Sequence, residues 1–475
     1  MACIAEQTIP YVLDKGRLMP VQNSMTKQKK DFYQNLRKLV IPIALQNLIN
    51  ASVNSAGVFM LGTISESALS AVSLANQVQF LTGGFFFGLS SATIMLASQY
   101  WGRDDRKSIQ AVMGIALKLC ISVMALITIL TTFAPKAIMT LFTNDSNLIG
   151  IGADYLKIVG FSYLIAGISQ IYEATIRAME RARFSTICSS VALGLNIFLN
   201  AVFIFGLMGS PKLGVQGVAI STLIARVVEL MLCAADAFLS HSLEYRFSIL
   251  FGAHPALRKD FLHFAAPALI NDLSWSAAFS TYSIILGHMG ADVVAASSVA
   301  TTVRELATTL CYGLSSAGTV LLGKEMGDNR MDEAKSNASS LCHVTLVISV
   351  LLGLCIILSR PLIFRIFTLS DNARDYLDFM LWISSYYIIG QAINTLVIAG
   401  IFRAGGDSRF GMICDTIAMW CVMVPVGFFC AFVLKVPVKV EYFILCLDEF
   451  IKMPVVYKNY KNYHWLKNIT REYEN

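Results

Sequence analysis

Apolar runs of membrane-crossing length, broken by short polar connectors, fill the chain from about residue 39 to residue 457. A run of about 20 apolar residues spans a bilayer as a helix, because each backbone polar group there must be satisfied within the segment. The pattern predicts twelve spans, at about 39–62, 74–98, 110–134, 152–175, 187–208, 215–239, 262–287, 294–322, 340–360, 376–402, 410–434 and 438–457. Gly or Pro marks several connectors, as in Gly209-Ser210-Pro211, Gly287 to Gly290, and Pro437. Connectors this short force neighbouring spans to run antiparallel. The longest polar join, 240–261, falls near the middle. It divides the chain into a tail (1–35), a six-span lobe (36–239), the join, a second six-span lobe (262–457) and a second tail (458–475).

The two lobes repeat one another. Pro42 pairs with Pro267 and Leu61-Gly62 with Leu286-Gly287, and Gly102 returns as Gly327. Gly88-Leu89-Ser90-Ser91-Ala92 recurs unchanged as Gly313-Leu314-Ser315-Ser316-Ala317, and Arg177-Ala178 recurs as Arg403-Ala404. A duplicated membrane bundle encloses a central cleft between similar halves, an architecture that moves solutes by rocking one half against the other. The expected fold is therefore an all-α membrane protein with two pseudo-symmetric six-helix lobes. Its paired small-residue strings read as close helix packing. The matched prolines read as a hinge or as a static kink.

Composition supports lipid over water. Of 475 residues, 56% are hydrophobic and 14% charged, against about 25% charged in soluble domains. The net charge of +6 suggests an acidic partner until its distribution is considered. With the N-terminus inside, and the distal-tail Lys15 and Arg17 left aside, 24 Lys and Arg fall on the inner connectors and tails and 7 on the outer ones; Arg403 and Lys452 are assigned to the inner set. This predicts a multi-pass plasma-membrane protein with both termini cytoplasmic and no nucleic-acid partner. The 11 cysteines show no metal-like spacing and read as small packing residues.

Charge inside a span asks for a reason, since an ionised side chain at mid-bilayer costs about 2.5–3.5 kcal/mol. Asp272, five residues after Pro267, is the principal candidate for the coupling ion. It would carry a proton, or a sodium ion with other oxygens such as Ser274 and Ser276. Asp415 is a second candidate, Arg304 a counter-charge, and Glu305 a further acid that either serves coupling or pairs for structure. Glu173 with Arg177 and Arg226 with Glu229 stand at helical spacing and read as structural pairs. For an organic solute, Trp275, Tyr282 and Tyr312 offer aromatic faces. Asn47, Asn50, Gln77, Gln391 and Asn394 offer amides at membrane depth.

Several pieces together resemble the multidrug and toxic compound extrusion (MATE) family. They are the Pro-x4-polar pattern of spans one and seven and the two Gly-Leu-Ser-Ser-Ala strings. The arginine-rich turns from Arg177 to Phe184 and from Arg403 to Phe410 fit as well, as does the segment from Gly206 to Ala219. The resemblance covers about 36–460. It implies a V-shaped pair of lobes exporting organic cations or other amphiphiles, driven by inward flow of H+ or Na+. The chain departs from the family where many members place acids, since Gly57, Trp275 and Ala392 stand there instead. Coupling must then use other groups.

Other classes fit less well. A flippase of lipid-linked oligosaccharides, from the same broad superfamily, is the alternative; it calls for further spans and several cleft arginines. There is no Walker motif, no HExxH, and Ala404-Gly405-Gly406-Asp407 lacks the GxGD order, so neither ATP use nor catalysis is expected. No cofactor beyond the coupling ion is expected. The partners are small amphiphilic or cationic solutes and the bilayer, and the protein is expected to act as a monomer.

Overall fold

A computed structural model describes residues 11–14, 17–62, 65–240, 243, 245–367 and 369–471, with side chains described from Lys29 onward except at 50–59, 62, 66 and 291. Asn50, Asn54 and Gly57 therefore lie outside the described side chains. The first half comprises α1 (Val21–Gly62), α2 (Glu66–Gly102), α3 (Arg106–Phe133), α4 (Ser146–Ala178), α5 (Ala182–Phe205) and α6 (Gly214–Leu239). The second comprises α7 (Pro255–Gly287), α8 (Ala291–Gly327), α9 (Met331–Ile366), α10 (Asp371–Phe402), α11 (Ser408–Leu434), and then α12 (Val438–Leu445) and α13 (Asp448–Lys461). Every sequence-predicted stretch falls on a helix or, for the last, on α12 and α13 in series. Nine helices among the described residues are long and apolar enough to cross a membrane.

Polar residues start several of these helices. The side chains of Ser65, Asp105 and Ser370 accept hydrogen bonds from backbone N–H groups three residues on, satisfying donors that a helix start leaves open. Pro42 and Pro267 both lie within continuous helices. Part of α10 (Thr395–Phe402) and two stretches of α11 (Ile417–Met423, Phe429–Leu434) are π-helical.

The halves interlock as a pseudo-twofold pair. A Cβ at Gly88 of α2 would lie 2.7 Å from Leu269 of α7, while one at its repeat mate Gly313 of α8 would lie 3.3 Å from Ala44 of α1. Ala44 and Leu269 are themselves repeat positions. Farther along, α2 and α8 cross: a Cβ at Gly102 would overlap the Lys324 carbonyl, and one at Gly327 would overlap the Gln99 carbonyl. The duplicated small residues are thus where backbones of opposite halves approach most closely.

Three features correct the sequence reading. Residues 1–35 are not wholly a tail: Tyr11–Asp14 and Arg17–Pro20 form a short two-stranded antiparallel ladder ahead of a fold that is otherwise all-helical. From Val21 the chain is already α1, whose Phe32, Leu36, Leu39, Val40 and Ile43 are buried at helical spacing while Lys29, Lys30, Arg37 and Lys38 are exposed. The join and the C-terminal segment also pack against the bundle. Lys118 donates to the carbonyls of Phe251 and Gly252, and Gln110 accepts from the Arg246 N–H. Trp465 is fully buried, and Gln99 bonds Ala404, Lys467 and Ile469 together.

Candidate functional site

A cavity of about 770 Å³ lies between the halves. Its first-half wall mixes apolar residues such as Val72, Phe86 and Leu193 and the paired Arg226 with amides and hydroxyls: Asn47 from α1, Asn76 and Gln79 from α2, Tyr155 and Tyr163 from α4, Asn196 and Asn200 from α5, Thr222 from α6. These groups bond one another, with Tyr155 donating to Asn76 at 3.3 Å and Asn196 donating to Thr222 at 3.2 Å. Some capacity is left over. The side-chain oxygens of Asn200, Asn271, Asn394 and Tyr163 are buried without a hydrogen-bond partner among the described residues.

The second-half wall carries charge in pairs. Asp272 of α7 takes a bidentate pair of bonds from Arg403 at the end of α10, at 2.6 and 3.1 Å, and Arg403 also donates to Ser91 of α2 at 3.0 Å. The guanidinium fork matches the carboxylate plane, which makes this among the stronger kinds of ion pair. Lys452 of α13 bridges Asp415 of α11 at 2.8 Å and Glu449, one turn back on its own helix, at 3.0 Å. Glu449 in turn accepts from the Asn394 amide at 2.8 Å. The π-helical stretch of α10 presents Thr395, Ile398 and Ala399 to the cavity, with Asn394 just before it and Arg403 just after it.

Of the sequence-predicted residues, Asp272, Ser276, Asp415, Asn47, Trp275, Tyr312 and Asn394 line the cavity. Trp275 packs on Phe279 with ring centres 4.2 Å apart, and Tyr312 meets Phe87 edge-on. The others stand elsewhere. Gln77 is exposed, because the α2 face that lines the cavity is that of Asn76 and Gln79. Glu305 is also exposed and does not pair with Arg304: adjacent positions on a helix point about 100° apart. Arg304 is buried away from the cavity, over the rings of Tyr387 (5.0 Å) and Phe279 (5.5 Å). Tyr282 lies in the core of the second half, and Gln391 accepts from Thr308 behind the wall.

Sequence reasoning missed Arg403, Glu449 and Lys452 as site residues. Arg403 and Lys452 had been assigned to inner connectors; both are buried instead. The signal for Lys452 was available, since Glu449 and Lys452 stand three apart inside a predicted span. In the first half, the repeat mate of Arg403 behaves similarly: Arg177 turns to Glu173 at 3.7 Å. Arg226 bonds Glu229 at 2.7 Å, and Ser189 reaches both acids, joining the two pairs into one buried network with Gln46.

Comparison with known proteins agrees with this architecture. The MatE family model matches twice, over residues 42–202 and 267–429, beginning at the two repeat prolines. An uncharacterized transporter YisQ of Bacillus subtilis is 23% identical over 452 residues, spanning 94% of this chain and 98% of that protein. A probable multidrug resistance protein NorM of Thermotoga maritima is 24% identical over 409 residues, spanning 86% and 88%. In structure, a MOP superfamily transporter from Pyrococcus furiosus superposes with a TM-score of 0.82 at 18% identity, over 90% of this chain and 95% of that one. A mutant of the MATE transporter VcmN from Vibrio cholerae gives 0.84 at 17%, over 92% and 98%. These structural matches carry the fold, and the family model carries the family. The chain is a multi-pass membrane protein of the MATE (MatE) family, a transporter and not an enzyme.

Proposed function

We propose that the protein is a secondary-active antiporter that exports small amphiphilic or cationic organic compounds. Alternating exposure of the central cavity, coupled to inward flow of H+ or Na+, would drive the export. On this reading the lobes 36–239 and 262–457 rock about the cavity of a monomer, with both termini in the cytoplasm of a plasma-membrane protein. The names of relatives such as the Thermotoga maritima protein support drugs as the solute class. Trp275 and Tyr312 would offer ring faces to a flat cation, and Asn47 and Asn394 would orient its polar groups.

The observation that carries the coupling is the position of Asp272. It sits on the cavity wall, held by an arginine that itself contacts the opposite half through Ser91. A cation arriving at the carboxylate competes with Arg403, so occupancy and the contact between halves change together. Asp272→Asn is expected to abolish gradient-driven efflux of a fluorescent cation from proteoliposomes, measured per amount of folded protein reconstituted, because it also leaves Arg403 without its partner. Efflux equal to that of the parent under both proton and sodium gradients would remove Asp272 from coupling. A lipid-pyrophosphate flippase is less well supported, because Arg226, Arg403 and Lys452 on the cavity wall already carry carboxylate partners.

A further inference from the structure

The span formed by α12 and α13 carries more buried acid than its one buried cation can satisfy. Glu441, Asp448, Glu449 and Lys452 are all at most 4% exposed. Glu449 and Lys452 are committed to the cavity cluster with Asp415 and Asn394. Glu441 and Asp448 are not. Both carboxyl oxygens of Glu441 and Oδ1 of Asp448 are buried without a hydrogen-bond partner among the described residues. The other Asp448 oxygen accepts a single side-chain bond, a long one of 3.4 Å from the Tyr387 hydroxyl, and the Glu449 backbone also bonds the carboxyl. The Glu441 carboxyl lies near Gly427, with the side chains of Leu445 and Ile285 beside them.

An ionised carboxylate without a cation or donor is among the costliest things a protein interior can hold. A carboxyl in such a place rests as the neutral acid and ionises only in passing. Sodium would require several oxygen ligands, which an aliphatic surround does not supply, whereas a proton requires one. The acids also follow one another along the chain. Glu441 and Leu445 lie on α12 and Asp448 and Lys452 on α13, the two successive helices of this span, and all four side chains are buried. Tyr282 of α7, Arg304 of α8, and Tyr386 and Tyr387 of α10 surround Asp448 electrostatically, together with Cys446, Glu449 and Lys452 of its own span. The hydroxyls of Tyr282 and Tyr386 are buried and unpartnered among the described residues, as groups that hand a proton along would be.

We propose that this span is the proton path of the second half. Glu441 takes a proton from one side of the membrane and Asp448 receives it. The proton then passes to the Asp415–Lys452–Glu449 cluster on the cavity wall. Each acid gains a proton on one oxygen and gives it up from the carboxyl to the next, so only H+ moves. Arrival at Glu449 weakens its bonds to Lys452 and Asn394, two residues that face the cavity, and thereby ties proton entry to the solute site. The proposal rests on the antiport reading and names H+ as its ion.

The test uses the full chain and the isosteric variants Glu441→Gln and Asp448→Asn. Infrared difference spectra of reconstituted membranes at neutral pH are expected to show a carboxylic-acid C=O band that each variant partly loses. In pyranine-loaded proteoliposomes, both variants are expected to lose proton-driven ethidium uptake while keeping gradient-free ethidium exchange and the parental melting temperature. A parental infrared band in both variants overturns the path, whatever the transport result. Sodium-driven uptake in the parent that both variants retain also overturns it, yet leaves antiport standing. A parent that moves ethidium under neither gradient counts against antiport and the proposal alike.

Discussion

At the scale of single residues, the site is a set of charges that hold one another. Arg403 is 2% exposed and its partner Asp272 13%, so removing one leaves the other buried and uncompensated. Breaking such a pair from one side costs about 3–5 kcal/mol, while removing both members is far milder. Arg403→Met is therefore expected to lower the thermal stability of the detergent-purified protein sharply, and adding Asp272→Asn is expected to restore most of the loss. A double variant no more stable than Arg403→Met would mean that the pair is not what Arg403 is for. Asp272 could be picked out from sequence because a lone acid amid apolar residues is conspicuous. Arg403 could not, because an arginine at the end of a span reads as a charge leaving the membrane. In the fold it turns back to Asp272 on the cavity wall instead.

At the scale of elements, the twelve apolar stretches were plain because length and hydropathy are properties of the local chain. What escaped was docking of polar segments, which depends on distant partners. The C-terminal segment shows this. It carries charge and reads as a tail, yet Trp465 is wholly buried, stacked on Tyr460 with ring centres 6.0 Å apart. Asn468 reaches Asn329 at the end of α8, and Ile469 reaches Gln99 of α2, so the segment touches both halves. Its seat is Gly405, where a Cβ would overlap the Trp465 carbonyl. Gly405→Ala is expected to expel the segment, seen as faster tryptic cleavage after Lys467 and a stability loss of about 1–3 kcal/mol. Gly194→Ala supplies the contrast: nothing lies within 4 Å of that Cβ, and it sits inside α5, where alanine is the better helix former. Equal cleavage rates in the two variants would show that the seat is not at Gly405.

At the scale of the whole molecule, the duplication has a mechanical meaning. The repeat glycines Gly102 and Gly327 each face a backbone carbonyl of the opposite half, at the crossing of α2 and α8. Carbonyl oxygens in helices cannot step aside as a flexible side chain does, so the crossing stays closed only while both positions lack a Cβ. Nearby, Ser98 is fully buried and its hydroxyl reaches the Thr319 carbonyl across the crossing at 3.4 Å. If the halves rock, this contact must part in the opposite state, and a methyl group at either glycine biases the equilibrium toward parting. A two-state equilibrium shifts only by the difference in energy a change makes between the states. Here the overlap exists in one state alone. Gly102→Ala and Gly327→Ala are therefore expected to act alike, despite lying 225 residues apart. The reporter is Ser98→Cys, labelled by a maleimide in membranes and compared with the same protein lacking that cysteine. Labelling is expected to be slow in the parent and faster with either alanine. Acceleration by one alanine but not its mate would mean that the crossing is not a symmetric seal. Unchanged labelling in both would mean that the halves do not separate there, and alternating access would have to operate elsewhere in the bundle.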